Sequence, residues 1–275
     1  MMASSASCRA ELLQKKLFIM DMDGTLYLGK TVFPFAVRFV KNLRAAGKRV
    51  LFFTNNSSAR TETYIERLKG HGFDPQPGEI MTSGDVTIEF LKRHRPGKSV
   101  YVMGTEDLLA SFRAAGIDPL PEGSRQADIA VLGYDTTLTY TKLSDMCRLV
   151  RGGSEYLATH TDLTCLNEEE LLPDCGAMIA FIKAMSGKEP VAFGKPNRET
   201  IGMLCEVSGC APSEMCIFGD MLTTDIAMGK RNGITCSLLL SGETHPEQLG
   251  SLPESEAPDY VFSSLDEVDR LLFPQ

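Results

Sequence analysis

The chain has 275 residues, 43% of them hydrophobic and 23% charged, with a formal charge of −8. That length allows one large α/β unit or a core with a second domain, and the acidic balance excludes the broad basic surface of a nucleic-acid protein. No run of 18 apolar residues appears, which argues against a membrane span, and the opening MMASSASCRAELLQKK lacks the apolar region of a signal peptide.

Read from the N-terminus, short apolar runs alternate with amphipathic stretches. A strand is predicted over 17–21, a helix over 34–46, a strand over 49–53 and helices over 60–71 and 84–94. Strands over 99–103, 128–133, 156–159 and 190–193 follow, separated by helices over 105–115, 141–151 and 175–186. The last third reads as helix 197–207, strand 215–218, helix 223–231, strands 235–239 and 259–262, and helix 265–272. Such alternation predicts a mostly parallel sheet covered on both faces, with ligands bound at the carboxyl ends of its strands. Pro/Gly breaks at RHRPGKSV (93–100) and MSGKEPVAF (185–193) divide the chain into a core, 1–95 and 188–275, and an inserted α/β block, 96–187. The eight cysteines form no Cys-x-x-Cys pair and read as buried, reduced thiols, and the cytoplasm is the default expectation. The acidic run Glu168–Glu169–Glu170 reads as a solvated face, and most of the thirteen methionines as core fillers.

The strand KLFIMDMDGT ends in two acids, Asp21 and Asp23, whose side chains leave the same face of an extended chain. An Asx-turn explains Asp23–Gly24 but not a second acid directly behind it. A divalent cation with oxygen ligands explains both, because it offsets the repulsion between neighbouring carboxylates. Met22, between them, is expected to point into the core. A second apolar run, MCIFGDMLTTD, supplies Asp220 and Asp225, with Met221 at the edge of the same site. The turn after RVLFFTNNSS offers Thr54 and Asn55 before a helix expected near Ser58, and suits either an anion or an ordinary helix cap. Lys195 stands between Gly194 and Pro196 after another strand, a place for a fixed positive charge.

With these four stretches in order, DMDGT (21–25), TN (54–55), GKP (194–196) and GDMLTTD (219–225), the sequence resembles the haloacid dehalogenase superfamily. The insertion between the second and third stretches resembles its type IIA branch of NagD-like and p-nitrophenyl phosphatase-like hydrolases. The resemblance implies a Rossmann-like parallel-sheet core with an inserted α/β cap of the C2 type. It also implies a phosphatase acting on a small phosphomonoester through an aspartyl-phosphate. Asp21 would be the nucleophile and Asp23 the general acid and base. Mg²⁺ would take the Asp21 carboxylate, the Asp23 carbonyl and Asp220, with Asp225 orienting the metal's waters. Thr54 and Lys195 would hold phosphate oxygens, assisted by Asn55 and the amides near Gly24. In the cap, ATHTDLTC and LLPDCGAM offer His160, Asp162 and Asp174 as leaving-group contacts, although a structural loop histidine explains His160 at least as well, and capping of the helix that starts near Gly176 explains Asp174 better than substrate binding does. The resemblance further suggests a homodimer through the cap. A phosphomutase is disfavoured by the place of the insertion and a dehalogenase by Asp23; the remaining alternative is a non-catalytic binding protein on the same fold.

Overall fold

A computed structural model of the chain describes residues 5–29, 31–166 and 171–274. The acidic run at 168–170 therefore lies outside the described residues. In chain order the first elements are α1 (Ser5–Gln14), β1 (Leu17–Met20), the antiparallel ribbon β2 (Tyr27–Leu28) and β3 (Thr31–Val32), α2 (Pro34–Ala45), β4 (Arg49–Thr54), α3 (Thr61–Gly70), β5 (Ile80–Thr82) and α4 (Ser83–His94). Next come β6 (Val100–Met103), α5 (Glu106–Ala114), β7 (Ile129–Leu132), α6 (Tyr140–Gly152), β8 (Glu155–Ala158), the antiparallel pair β9 (Thr164–Leu166) and β10 (Leu171–Pro173), α7 (Cys175–Ser186) and β11 (Val191–Ala192). The chain ends with α8 (Arg198–Ser208), β12 (Met215–Gly219), a π-helical turn over Leu222–Ile226, α9 (Ala227–Asn232), β13 (Thr235–Leu239), β14 (Tyr260–Phe262) and α10 (Leu265–Leu272).

The chain divides into two compact units. The first comprises Met1–Phe53, Ile65–Ile80 and Leu204–Gln275; the second comprises Thr54–Tyr64 and Met81–Met203. The first is built on a sheet in the order β14-β13-β12-β1-β4-β5. β14, β13, β12, β1 and β4 run parallel, with Leu17–Met20 paired to Met215–Phe218 on one side and to Arg49–Phe52 on the other. β1 thus has neighbours at both edges and cover on both faces, which is why a strand of four apolar residues, all buried, is stable there. Packed against α2, α10 buries Leu265, Val268 and Leu272 on one side of the helix. Its Asp269 takes hydrogen bonds from Arg38 (2.6 Å) and Asn42 (2.8 Å) of α2, so a nearly buried carboxylate is fully partnered.

The second unit carries a parallel sheet in the order β11-β8-β7-β6. β6, β7 and the inner face of β8 pack with α6 and α7 through Tyr101, Leu132, Met146, Val150, Met178 and Ile182. Side-chain caps start its helices. Thr82 and Asp85 form a reciprocal box on α4, Thr105 and Thr139 cap α5 and α6, and Asp174 caps α7.

Two expectations are corrected. α3 begins at Thr61 rather than near Ser58, because Asn56 Oδ1 accepts both the N–H and the hydroxyl of Ser58 in a side-chain turn that delays the helix. The stretch 223–231 is not one α-helix: its first part is a π-helical turn that carries Asp225, and α9 begins only at Ala227. No described helix is long and apolar enough to cross a membrane.

Candidate active site

In the first unit, β1 and β12 are neighbours in register, Met20 beside Phe218, so both strands deliver their next residues to the same edge of the sheet. Asp21 follows β1 and hydrogen-bonds its N–H to Phe218 O at 2.9 Å; Asp220 follows β12. Asp225 returns from the π-helical turn. One carboxylate oxygen from each of Asp21, Asp220 and Asp225 lies within 4.8 Å of the others. Asp220 and Asp225 are buried, whereas Asp21 is half-buried and Asp23 exposed. Met22 is fully buried between the two acids, as the alternation of an extended chain requires, and Met221 is half-buried at the edge.

The surrounding backbone is shaped for these carboxylates. A Cβ on Gly219 would stand 2.1 Å from Asp225 Cγ, and one on Gly24 would stand 2.2 Å from Asp220 Oδ2. Asp225 Oδ2 accepts Met221 N–H at 3.2 Å. A donor set of carboxylate oxygens alone, packed this tightly, fits a hard divalent cation such as Mg²⁺ and suits neither a soft metal nor a bare cluster of charges.

The second unit assembles the other predicted residues. Thr54 is the last residue of β4, and its hydroxyl accepts Asn56 N–H at 3.2 Å. Asn55 Oδ1 accepts Lys195 N–H at 2.7 Å, and Asn55 Nδ2 donates to Lys195 O and to Asp162 Oδ2, both at 2.9 Å. Lys195 is buried. Burial raises the Asp162 carboxyl above its usual range, against the opposing pull of His160, Asn55 and Lys195. His160 is fully buried, with Nε2 2.9 Å from Asp174 Oδ1 and Nδ1 3.0 Å from Thr159 Oγ1. Burial opposes charge on the imidazole, but Cys175 and the Asp174 carboxylate outweigh it and hold the ring protonated well above its ordinary range. Asp174 also accepts Cys175 N–H at the start of α7. Neither His160 nor Asp174 has surface to offer a leaving group.

Similarity to known proteins points the same way. Residues 18–118 match a family described as haloacid dehalogenase-like hydrolase, and residues 192–268 match a second, HAD-hydrolase-like description. The acid sugar phosphatase of Staphylococcus aureus is 30% identical over 254 residues, 92% of this chain and 96% of its own. The 4-nitrophenylphosphatase of Thermotoga maritima superposes with a TM-score of 0.88 at 37% identity, over 95% of this chain and 98% of that one. The glycerol phosphate phosphatase of Mycobacterium tuberculosis, solved in complex with calcium, gives 0.83 at 26% identity over 94% and 76%.

The chain belongs to the haloacid dehalogenase-like hydrolases. Its architecture is theirs: a Rossmann-like parallel-sheet core with an inserted α/β cap.

Two groups in this haloacid dehalogenase-like chain escaped sequence reading. The first is the loop Ser241–Thr244 after β13. Ser241 Oγ donates to Gly24 O at 2.8 Å, Glu243 N–H donates to Asp220 Oδ2 at 2.7 Å, and Thr244 N–H and hydroxyl donate to Asp220 O. The signal was a Ser-Gly pair closing the strand TCSLLL, the same strand-end pattern that marked the other motifs. The second is the double hydrogen bond from Asn55 to Lys195, which joins positions 140 residues apart and has no local signature.

Proposed function

We propose that this protein is a Mg²⁺-dependent phosphatase that hydrolyses a small phosphomonoester through an aspartyl-phosphate. The observation that carries the reading is the packing of the Asp21, Asp220 and Asp225 carboxylates with only Asp21 partly open to solvent. A nucleophile must reach substrate, and metal ligands need not. The names of the relatives, which include phosphatases of sugar phosphate, nitrophenyl phosphate and glycerol phosphate, support the substrate class. Eight free cysteines agree with a reducing, cytoplasmic setting.

In this reading an Asp21 oxygen attacks phosphorus in line with the ester oxygen, and the P–O bond to the leaving group breaks. Asp23, exposed two residues on, gives that oxygen its proton. The carboxylate of Asp23 then takes a proton from water as the water attacks the phosphoryl group, which frees Asp21 and inorganic phosphate. Thr54 and Lys195 are assigned to the phosphate oxygens. Asp21, Asp220 and the Asp23 carbonyl would hold Mg²⁺, with Asp225 behind them; when bound, the ion neutralises charge that would otherwise repel a phosphate dianion from a carboxylate.

The test is p-nitrophenyl phosphate hydrolysis with and without Mg²⁺, in the wild type and in Asp21→Asn. We expect release that needs the ion and is lost by a factor of about 10⁴ or more in the variant, with the fold retained by circular dichroism. Release at the wild-type rate from Asp21→Asn excludes the covalent route. No release from either protein favours the non-catalytic reading.

A further inference from the structure

From the geometry of the second unit we infer that Asn55 is a positioning residue for Lys195 rather than a phosphate ligand. A side-chain amide owns two N–H donors, and a phosphate anion needs donors. Both donors of Asn55 are committed, one to Lys195 O and one to Asp162 Oδ2, each at 2.9 Å, while its oxygen accepts Lys195 N–H at 2.7 Å. The three partners require one and the same orientation of the amide, since an N–H needs the oxygen and a carbonyl and a carboxylate need the nitrogen. The side chain has no N–H left over for substrate. The amide instead closes on both backbone groups of Lys195, as a neighbouring strand would.

The rest of the loop is fixed in the same way. Asn197 and Thr200 hold Gly194 O at 2.9 and 3.0 Å, and Asn197 Nδ2 holds Phe193 O at 2.7 Å. Gly194 has φ +72°, and a Cβ there would stand 2.7 Å from His160 Cβ, 2.8 Å from Asn55 Oδ1 and 3.0 Å from Thr159 O. The turn before Lys195 is therefore seated against residues 159–160 on one side and Asn55 on another. His160 is itself immobilised by Asp174. Asp162 completes the arrangement by holding the second hydrogen of the Asn55 amide. On this account Asp162 and His160 serve the lysine rather than the leaving group.

The inference rests on the proposed assignment of Lys195 to phosphate, and a double-mutant cycle separates the two claims. Asn55→Ala, Lys195→Ala and the double variant are compared with wild type for kcat/KM on p-nitrophenyl phosphate, and for inorganic phosphate affinity by calorimetry in Mg²⁺. A residue that acts only through Lys195 gives strongly non-additive effects: each single variant falls by about 10²-fold, and the double falls hardly further than the worse single. Thermal midpoints report whether Asn55→Ala folds. Asn55→Asp, which keeps the acceptor but sets an oxygen against Lys195 O and Asp162, is the backup variant and is expected to fall as far. Asp162→Asn, whose oxygen still accepts from Asn55, is expected to fall much less than Asp162→Ala. Multiplicative losses in the double variant make Asn55 an independent phosphate contact and overturn the inference while leaving the phosphatase reading intact. A wild type that neither turns over nor binds phosphate removes that reading, and the inference with it.

Discussion

At the scale of single residues, the site is set as much by missing side chains as by charged ones. A Cβ on Gly242 would stand 1.9 Å from Asp220 Oδ2 and 2.4 Å from its Cγ, in a place where the neighbouring amide already holds that carboxylate. We therefore expect Gly242→Ala to push Asp220 aside and raise the Mg²⁺ concentration for half-maximal activity by about tenfold or more. A metal titration of the two proteins checks this, and an unshifted midpoint would mean that Asp220 is not a ligand. The acids themselves were legible in the sequence. Asp21 and Asp220 each end an apolar run, and burying such residues needs a chemical reason. Gly242 was not legible. A glycine after a strand is ordinary, and only the fold reveals that its missing Cβ is occupied by a carboxylate from 22 residues earlier.

Among the elements, α7 has the most informative N-terminus. Its cap, Asp174, is one partner of a buried ion pair with His160, and Cys175 and Asp162 are the other titratable groups that face the ring. Removing the carboxylate in Asp174→Ala leaves a buried positive charge without its partner and a helix without its cap, and should cost about 3 kcal/mol or more in denaturant unfolding. The pH dependence has a definite sign. The imidazole is held charged in the folded state, so the pair stabilises fully below about pH 6.5, the unfolded value, and loses that contribution as pH rises through the higher folded value. The difference in thermal midpoint between wild type and His160→Gln should accordingly be widest in mild acid and narrow toward alkaline pH; a constant difference would contradict it. Asp174 as a cap could be read from Asp before an apolar helical run. The same sequence reading left His160 open between substrate contact and structural loop, because a polar residue in a loop is exposed by default and nothing local showed its full burial. The regular elements were readable for the usual reason: period-two and period-3.6 patterns survive wherever one face is buried. α1, β5 and the short pairs β2–β3 and β9–β10 were not, being too short or too weakly patterned to carry a period.

For the whole molecule, the formal charge of −8 and a site of three packed carboxylates predict a protein that is more stable with its ion bound. At a Mg²⁺ concentration about 100 times Kd, mass action contributes about 2.7 kcal/mol, or roughly 5 °C in thermal midpoint for a chain of this size. Scanning calorimetry with and without Mg²⁺ should show that rise in the wild type and its loss in Asp220→Asn. The parallel architecture was legible from strand–helix alternation alone. The course of the chain between the two units was less so, because it passes from one to the other inside β5, α3 and α8 as well as at the end of β4, where no Pro/Gly break marks the passage. The pairing of β1 with β12 also has a consequence for synthesis. Leu17 pairs with Met215, so a nascent chain carries β1 for roughly 200 residues before its second neighbour exists, about 10–40 s at ordinary rates of translation. Through that interval the apolar segment Leu17–Met20 has at most β4 beside it, and the ribosome-bound protein presents an unfinished sheet edge that a chaperone can recognise.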